Sequence, residues 1–220
     1  MGRYSLVAAS RGAEMVGLDL SNAIEAAYLK SRHHPFFHTV QGDIYNLPFR
    51  LDSFDFAQSL GVIHIAPDPE AALHSIKEMV RADGKIFIYV YPDFRDENLL
   101  RYYGLKLVNP LRKITVKLPS DILYKLLYLM LPIVLILLYY PSLFLWHMPG
   151  LRKLSSILPY NYEQYRGRKI RDIHMNLFDR FGNPVERRYS REEIQDLISN
   201  AGFKEYSLFF RDGWTFSAIK

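Results

Sequence analysis

Asp19, Asp43 and His64 each follow a short apolar run and could bind a nucleoside or transfer a proton. A carboxylate at the carboxyl end of a strand in an open α/β sheet lies where ligands bind. There it can accept hydrogen bonds from both hydroxyls of a ribose. The position of Asp19 therefore predicts that it binds a ribose. A role as N-cap of the following helix explains this residue at least as well.

Asp43 could accept a hydrogen bond from the exocyclic amine of adenine, with Gly42 allowing close backbone approach. A plain turn is the alternative, because Gly-Asp is common in turns. His64 follows the third run on a loop, where a catalytic base and a structural histidine are equally compatible with the sequence. His174 lies in a polar stretch of the chain and is a second candidate base. A surface or packing histidine is its alternative.

Short apolar runs that alternate with helical patterns must position these side chains. Strands are predicted over 14–19, 36–41, 54–60 and 84–91, and helices over 21–32 and 69–81. This alternation predicts βαβ units and a doubly wound, mainly parallel sheet of the Rossmann-like α/β class. Further on, Ser190–Glu193 has the pattern of a capping box for a helix ending at Asn200. Asp212-Gly213 then joins two strands, 203–211 and 214–219, as an antiparallel hairpin.

The motifs together are far more specific than any one of them. They are Val16-Gly17-Leu18-Asp19-Leu20-Ser21, Gly42-Asp43-Ile44, Ser53-Phe54-Asp55, Leu60-Gly61-Val62-Ile63-His64 and Arg81-Ala82-Asp83-Gly84-Lys85. This series closely resembles that of class I S-adenosylmethionine-dependent methyltransferases of the ubiquinone/menaquinone-biosynthesis-like (type 11) group. The resemblance runs from Gly2 to about Asp93 and resumes at Tyr189–Phe203.

The resemblance implies S-adenosylmethionine as the cofactor and assigns roles to individual residues. The implied cofactor-binding residues are Gly2, Asp19, Leu20, Asp43, Ile44, Ser59, Leu60 and Gly61. In this assignment Asp19 binds the ribose, Asp43 and Ile44 border the adenine, and residues 59–61 flank the methionine moiety. His64 and His174 are the candidate catalytic bases.

Two departures from the family pattern are visible. Many relatives have a second histidine after the third of these strands, where this chain has Ile65. The family's first strand and its Gly-x-Gly-x-Gly loop are absent, and Gly2 resembles the last glycine of that loop. We therefore expect an N-terminally truncated chain that binds S-adenosylmethionine weakly or not at all, since the strands beside the missing one lose ladder partners.

The expected domains are a cofactor-binding core at 1–93, a hydrophobic and basic helical insertion at 94–167 and the C-terminal part of the core at 168–220. Within the insertion, Ile122–Trp146 has Lys125 as its single charge and is long enough to cross a bilayer. Three alternatives remain open for the insertion. It could cap an apolar substrate pocket, dip into a membrane interface as a helical hairpin, or span the membrane.

Composition and charge narrow the function classes. The chain has no cysteine, which excludes disulfides and thiolate metal sites, and no metal motif is present. Residues 95–172 contain 13 Lys or Arg and 5 Asp or Glu, whereas the rest of the chain is mildly acidic. This local excess predicts an anionic partner such as a membrane surface and argues against nucleic-acid binding.

The sequence thus predicts a cytoplasmic enzyme, peripheral at a membrane, that methylates a small apolar or lipid-like acceptor. A non-catalytic, membrane-associated domain with a degenerate nucleotide fold is the alternative.

Overall fold

The computed structural model describes residues 2–158 and 160–220, so Met1, the first residue of the predicted core domain, lies outside the described part. The chain forms two compact units. The nucleotide-fold unit consists of Met1–Val90 and Gln195–Lys220, and the helical unit consists of Tyr91–Ile194. The helical unit therefore extends beyond the expected insertion at both ends and includes residues that the sequence pattern assigns to the core.

The nucleotide-fold unit alternates helices and strands. Its elements before the helical unit are α1 (Arg3–Ala9), β1 (Met15–Asp19), α2 (Ala23–Ser31), β2 (Phe37–Gln41), β3 (Phe54–Leu60), a 3₁₀ turn (Ile63–Ile65), α3 (Pro69–Met79) and β4 (Val80–Val90). After the helical unit come β5 (Tyr206–Phe210) and β6 (Trp214–Ile219). Every strand predicted from the sequence is present, with ends shifted by up to four residues, whereas α1 was not predicted.

The strands belong to two sheets. β1 pairs with β2 in parallel, and a four-stranded sheet has the order β3-β4-β6-β5, in which β3 and β4 are parallel and the others antiparallel. Among the described residues no strand bridges β1 and β3, so each has one edge without a ladder partner. The mixed α/β class is confirmed, and so is the expectation that two of the strands lack a ladder partner on one edge.

Burial explains why β4 lies inside its sheet. Ile86, Ile88 and Val90 are fully buried and alternate with the half-buried Phe87 and Tyr89, as expected for a strand with one face in the core and the other partly covered. The predicted hairpin between β5 and β6 is confirmed, with Arg211 N–H donating to the Gly213 carbonyl at 3.0 Å. These contacts make the four-stranded sheet the core of the nucleotide-fold unit.

The helical unit consists almost entirely of helices. They are α4 (Leu99–Thr115), α5 (Ser120–Val134), a π-helical segment (Leu135–Tyr139), α6 (Tyr140–His147), α7 (Arg152–Ile157), α8 (Tyr162–Tyr165) and α9 (Ile170–Gly182). α10 (Arg191–Asn200) begins in this unit. The predicted capping box opens α10, because Ser190 N–H donates to Glu193 at 2.7 Å and Glu193 N–H donates to Ser190 Oγ at 3.2 Å.

Residues Ser120–His147 form one continuous run, which we call the long helix. The π-helical segment precedes Pro141, whose ring cannot fit against the preceding turn of a regular helix and whose missing N–H removes a helical hydrogen bond. The long helix has 28 residues and is strongly apolar. Only 17% of its most apolar stretch is buried. By length and composition it is the single candidate membrane span in the described chain.

One side of the long helix packs inside the helical unit. Leu123, Leu127 and Leu131 form a buried cluster with Ile173 and Leu177 of α9. At the other end, the Ser142 hydroxyl lies 2.8 Å from the Ser155 hydroxyl of α7 and accepts a hydrogen bond from Tyr162 N–H of α8 at 2.7 Å. The long helix is therefore held along its whole length by α9, α7 and α8.

Candidate cofactor site

Asp19 is the last residue of β1, and a local turn fixes its carboxylate. Its Oδ1 accepts hydrogen bonds from Ser21 N–H at 2.8 Å and from the Ser21 hydroxyl at 2.7 Å. No described residue bonds the other oxygen, Oδ2. The carboxylate is thus oriented by Ser21 and keeps one oxygen for a ligand. The N-cap of α2 is Asn22, so the alternative role of Asp19 as N-cap is not the one observed.

A cavity of 130 Å³ adjoins Asp19. Its lining residues are Gly2, Ser5, Gly17, Leu18, Asp19, Ala23, Ile24, Ala27 and Phe37. Sites for drug-sized ligands enclose about 300–1,000 Å³, so this cavity accommodates only part of a nucleoside cofactor. It brings together Gly2 and Asp19, two residues that the sequence predicts to bind the cofactor.

Small residues keep this cavity open. Gly2 has a φ of 67°, in the left-handed region, and directly precedes α1, as the last glycine of a loop before a helix would. A Cβ on Gly17 would lie 3.0 Å from the buried ring of Phe37. Neither Gly17 nor Phe37 was predicted to have a role. A glycine inside a strand marks close approach by another group, and that signal could have found Gly17.

The residues after β2 form a turn, as the alternative for Asp43 proposes. Asp43 Oδ1 accepts a hydrogen bond from Tyr45 N–H at 3.0 Å, and the side chain is half-buried. Because β1 and β2 are parallel and Asp19 pairs with Gln41, Asp43 follows the same sheet edge at which Asp19 ends. Leu20 is largely exposed and Ile44 is half-buried. Of these four predicted residues, only Asp19 lines the cavity.

The end of β3 contains a buried polar group. Ser59 is 7% exposed, and its hydroxyl has no hydrogen-bond partner among the described residues. Leu60 ends the strand opposite Tyr89, and Gly61 has a φ of 78° and donates its N–H to the Tyr89 carbonyl at 3.0 Å. Buried hydroxyls usually have a partner, so Ser59 is a group that a ligand could satisfy. None of these three residues lines the cavity beside Asp19.

The candidate base His64 lies in the 3₁₀ turn after β3 and is 2% exposed. Its ring lies beside Gly61, where an added Cβ would be 3.8 Å from His64 Cε1. Tyr45, which was not predicted, steadies the following loop, because its hydroxyl accepts a hydrogen bond from Asp68 N–H at 2.9 Å. Asp68 in turn caps α3 through Ala71 N–H. The loop containing His64 is therefore fixed at its far end.

The other candidate base, His174, lies within the helical unit. Its Nε2 is 3.0 Å from the Tyr124 carbonyl, and its ring contacts Tyr124 and Tyr128 edge-on at centroid distances of 4.4 and 5.3 Å. A carbonyl can only accept a hydrogen bond, so Nε2 carries a proton in this contact. This arrangement is that of a packing histidine, the alternative that the sequence leaves open.

Comparison with known proteins shows the fold of the chain and a family match for its first part. Residues 1–88 match the family described as a methyltransferase domain. Demethylmenaquinone methyltransferase of Staphylococcus haemolyticus (strain JCSC1435) is 35% identical over 74 residues. Those residues are 33% of this chain and 31% of that protein, so the match spans about a third of the length of this relative.

Two solved structures share the fold over nearly the whole chain. An S-adenosylmethionine-dependent methyltransferase from Methanosarcina mazei matches with a TM-score of 0.50 and 15% identity over 99% of this chain and 86% of that one. PigF, solved with SAH, matches with a TM-score of 0.53 and 14% identity over 100% of this chain and 48% of that one. Residues 1–88 are thus similar to a methyltransferase domain, and the chain as a whole shares the fold of these two structures.

Proposed function

We propose that the protein transfers a methyl group from S-adenosylmethionine to a small apolar or lipid-like acceptor. The observation that carries this proposal is the Asp19 carboxylate, which Ser21 orients at the edge of a cavity that Gly2 also lines. The fold and the family support the same chemistry.

The residues present fit the cofactor at two points. The free oxygen of Asp19 suits the ribose hydroxyls, and the unpartnered hydroxyl of Ser59 suits a polar group of the methionine moiety. Asp43 and Ile44 are proposed to border the adenine, and Leu20 and Gly61 to complete the contacts. When bound, S-adenosylmethionine supplies a methyl group on a positively charged sulfur, so the protein chiefly needs to align the acceptor.

The acceptor loses a proton when it gains a methyl group, so a proton acceptor helps if its nucleophile is protonated. We assign this role to His64, which follows β3 directly and lies beside Gly61. We do not assign it to His174, whose ring packs edge-on against Tyr124 and Tyr128 and whose Nε2–H donates to the Tyr124 carbonyl.

Two observations support an apolar or lipid-like acceptor. The relative from S. haemolyticus is named for demethylmenaquinone, an apolar quinone. The long helix also exposes an unusual amount of apolar surface, which favours a protein that works at a membrane. We accordingly propose a cytoplasmic protein that associates peripherally with a membrane.

Calorimetry with S-adenosylmethionine and assay of methyl transfer to reduced demethylmenaquinone test this function. We expect weak cofactor binding, because the cavity is small and β1 and β3 each lack a ladder partner. A second version, preceded by an added β-strand and glycine-rich loop, should bind more tightly and methylate the quinone. Failure of both versions to bind would contradict the proposal and favour a non-catalytic domain. Binding without transfer to the quinone would overturn only the proposed acceptor.

A further inference from the structure

The long helix has two apolar faces, and only one of them is covered. The inner seam contains Leu123, Leu127, Leu131 and Ser142 and packs against α9, α7 and α8. The outer stripe consists of Ile122, Leu126, Leu129, Ile133, Ile136, Leu137, Tyr140 and Phe144. These residues follow one another mostly at three- and four-residue spacing, so they form one face of the helix. They are 40–75% exposed.

A continuous apolar face of this length requires a cover, since soluble proteins rarely expose large apolar patches. The charges around the outer stripe indicate which partner covers it. Residues 98–162 contain eight Lys or Arg and a single Asp or Glu. Lys117 and Lys125 are exposed near the start of the long helix, and Arg152 and Lys153 are exposed just beyond its end. Two copies of the protein paired through this face would bring like charges together, whereas anionic lipid headgroups would neutralise them.

The packing of the inner seam limits the orientations in which the long helix can bind a bilayer. The elements along the seam carry exposed charges over the whole length of the helix. They are Arg171, Asp172 and Asp179 on α9, Arg152 and Lys153 on α7, and Glu163 on α8. If the long helix crossed the membrane with these partners in place, their charges would enter the hydrocarbon, which is strongly unfavourable. If the helix lay along the surface, the charges would stay in water.

We propose that the outer stripe is a membrane-binding surface and that the long helix lies in the plane of an anionic bilayer, immersed on that side only. The basic residues at its two ends reach the headgroups, as in other interfacial helices. This inference concerns the helical unit alone and does not depend on methyl transfer.

Flotation of the full chain with vesicles tests the surface. Vesicles of phosphatidylcholine with phosphatidylglycerol should carry the protein upward, and vesicles of phosphatidylcholine alone should carry much less. The double variant Leu129→Glu/Leu137→Glu should float about tenfold less well, because two carboxylates then face the lipid. Leu29→Glu/Leu51→Glu is the matched control, because both leucines are similarly exposed but lie in the nucleotide-fold unit. It should float like the parent protein.

Depth measurements test the in-plane orientation. The chain has no cysteine, so Ile122→Cys, Ile133→Cys and Phe144→Cys each provide a unique site for a fluorescent label. Lipids with quenchers at different depths should report the same shallow depth for the start, middle and end of the long helix. A label at residue 133 that is much deeper than the other two would show a spanning helix and overturn the in-plane proposal.

Two further results would overturn the membrane surface itself. One is equal flotation of the parent and the Leu129→Glu/Leu137→Glu variant. The other is a stable dimer in sedimentation experiments that does not bind vesicles and that the same two substitutions dissociate, because a second copy would then cover the outer stripe. Circular dichroism of each variant confirms that the helices remain folded, so that loss of flotation reports loss of the surface.

Discussion

The Oε1 atom of Glu186 lies 2.6 Å from Nη2 of Arg188, and both side chains are almost completely buried in the helical unit. The other carboxylate oxygen of Glu186 lies 3.4 Å from Nη2 of Arg112. Burial lowers the pKa of Arg188, the nearby Arg180 lowers it further, and Glu186 acts in the opposite direction. The single carboxylate of Glu186 therefore neutralises two guanidinium groups. Together the three side chains connect the segment before α10 to α4.

Glu186→Gln should strongly destabilise the helical unit. The substitution preserves the shape of the side chain but leaves two buried guanidinium groups without a counter-charge. Breaking a buried ion pair by changing one partner costs about 3–5 kcal/mol, so we expect the free energy of unfolding to fall by about 3 kcal/mol. Urea denaturation measures this change. Glu163→Gln, at an exposed position on α8, is the control and should change stability by less than about 0.5 kcal/mol. Equal effects of the two substitutions would contradict the role of Glu186.

Tyr160→Phe should make the protein less sensitive to alkaline pH. Burial raises the pKa of Tyr160, and its hydroxyl has no partner among the described residues. As the pH rises past about 10, the unfolded chain loses this proton while the folded chain keeps it, so the stability of the parent falls. The variant has no hydroxyl to ionise at this position. Its free energy of unfolding should therefore fall less steeply than that of the parent, by about 1.4 kcal/mol per pH unit above pH 10.

Denaturation of the parent and of Tyr160→Phe at several pH values between neutral and strongly alkaline measures this difference. Burial also raises the pKa values of Tyr91 and Tyr165, so part of the alkaline slope should remain in the variant. At neutral pH the variant should be as stable as the parent or slightly more stable, because an unpaired buried hydroxyl is unfavourable. Parallel alkaline curves for the two proteins would show that Tyr160 ionises as readily in the folded state as in the unfolded state.

Asp19→Asn should weaken S-adenosylmethionine binding. The substitution removes the negative charge that would accept hydrogen bonds from the ribose, and we expect a loss of about 1.5–3 kcal/mol of binding free energy. Calorimetry of the version with the added strand and loop gives the most sensitive measurement. Asp55→Asn is the control, because its ion pair with Arg81 is largely exposed and contributes little. Unchanged affinity in Asp19→Asn would reject the ribose role.

Gly17→Ala should close the cavity beside Asp19. The added methyl group would lie 3.0 and 3.1 Å from two ring carbons of Phe37, so the ring must move. Overpacking of this kind costs about 1–3 kcal/mol of stability, and cofactor affinity should fall as well. Gly104→Ala is the matched control, because nothing lies within 4 Å of the added atom and the position is inside α4. That control should stabilise the protein by about 0.5–1 kcal/mol. Unimpaired binding by Gly17→Ala would show that the cofactor does not use this cavity.

Local sequence patterns were sufficient to predict most of the nucleotide-fold unit. The alternation of apolar runs and helices located all six strands, and the capping box at Ser190 and the hairpin at Asp212 were predicted correctly because each depends on neighbouring residues. The same patterns placed Asp19 at the end of β1. They missed α1, because its N-cap is Gly2, which has no side chain to provide a capping signal.

Tertiary structure decided everything that depends on contacts distant in the sequence. Period and capping say nothing about which strands share a ladder, so the position of β6 between β4 and β5 emerged only in the fold. The loss of a ladder partner at β1 and β3 agrees with the expectation drawn from the family resemblance. The contact between His174 and Tyr124 joins residues 50 positions apart, and it favours packing over catalysis. The sequence by itself determined that the long helix is apolar. Only the packing of α9, α7 and α8 along one side showed which face is left exposed, because hydropathy does not record which neighbours cover a residue.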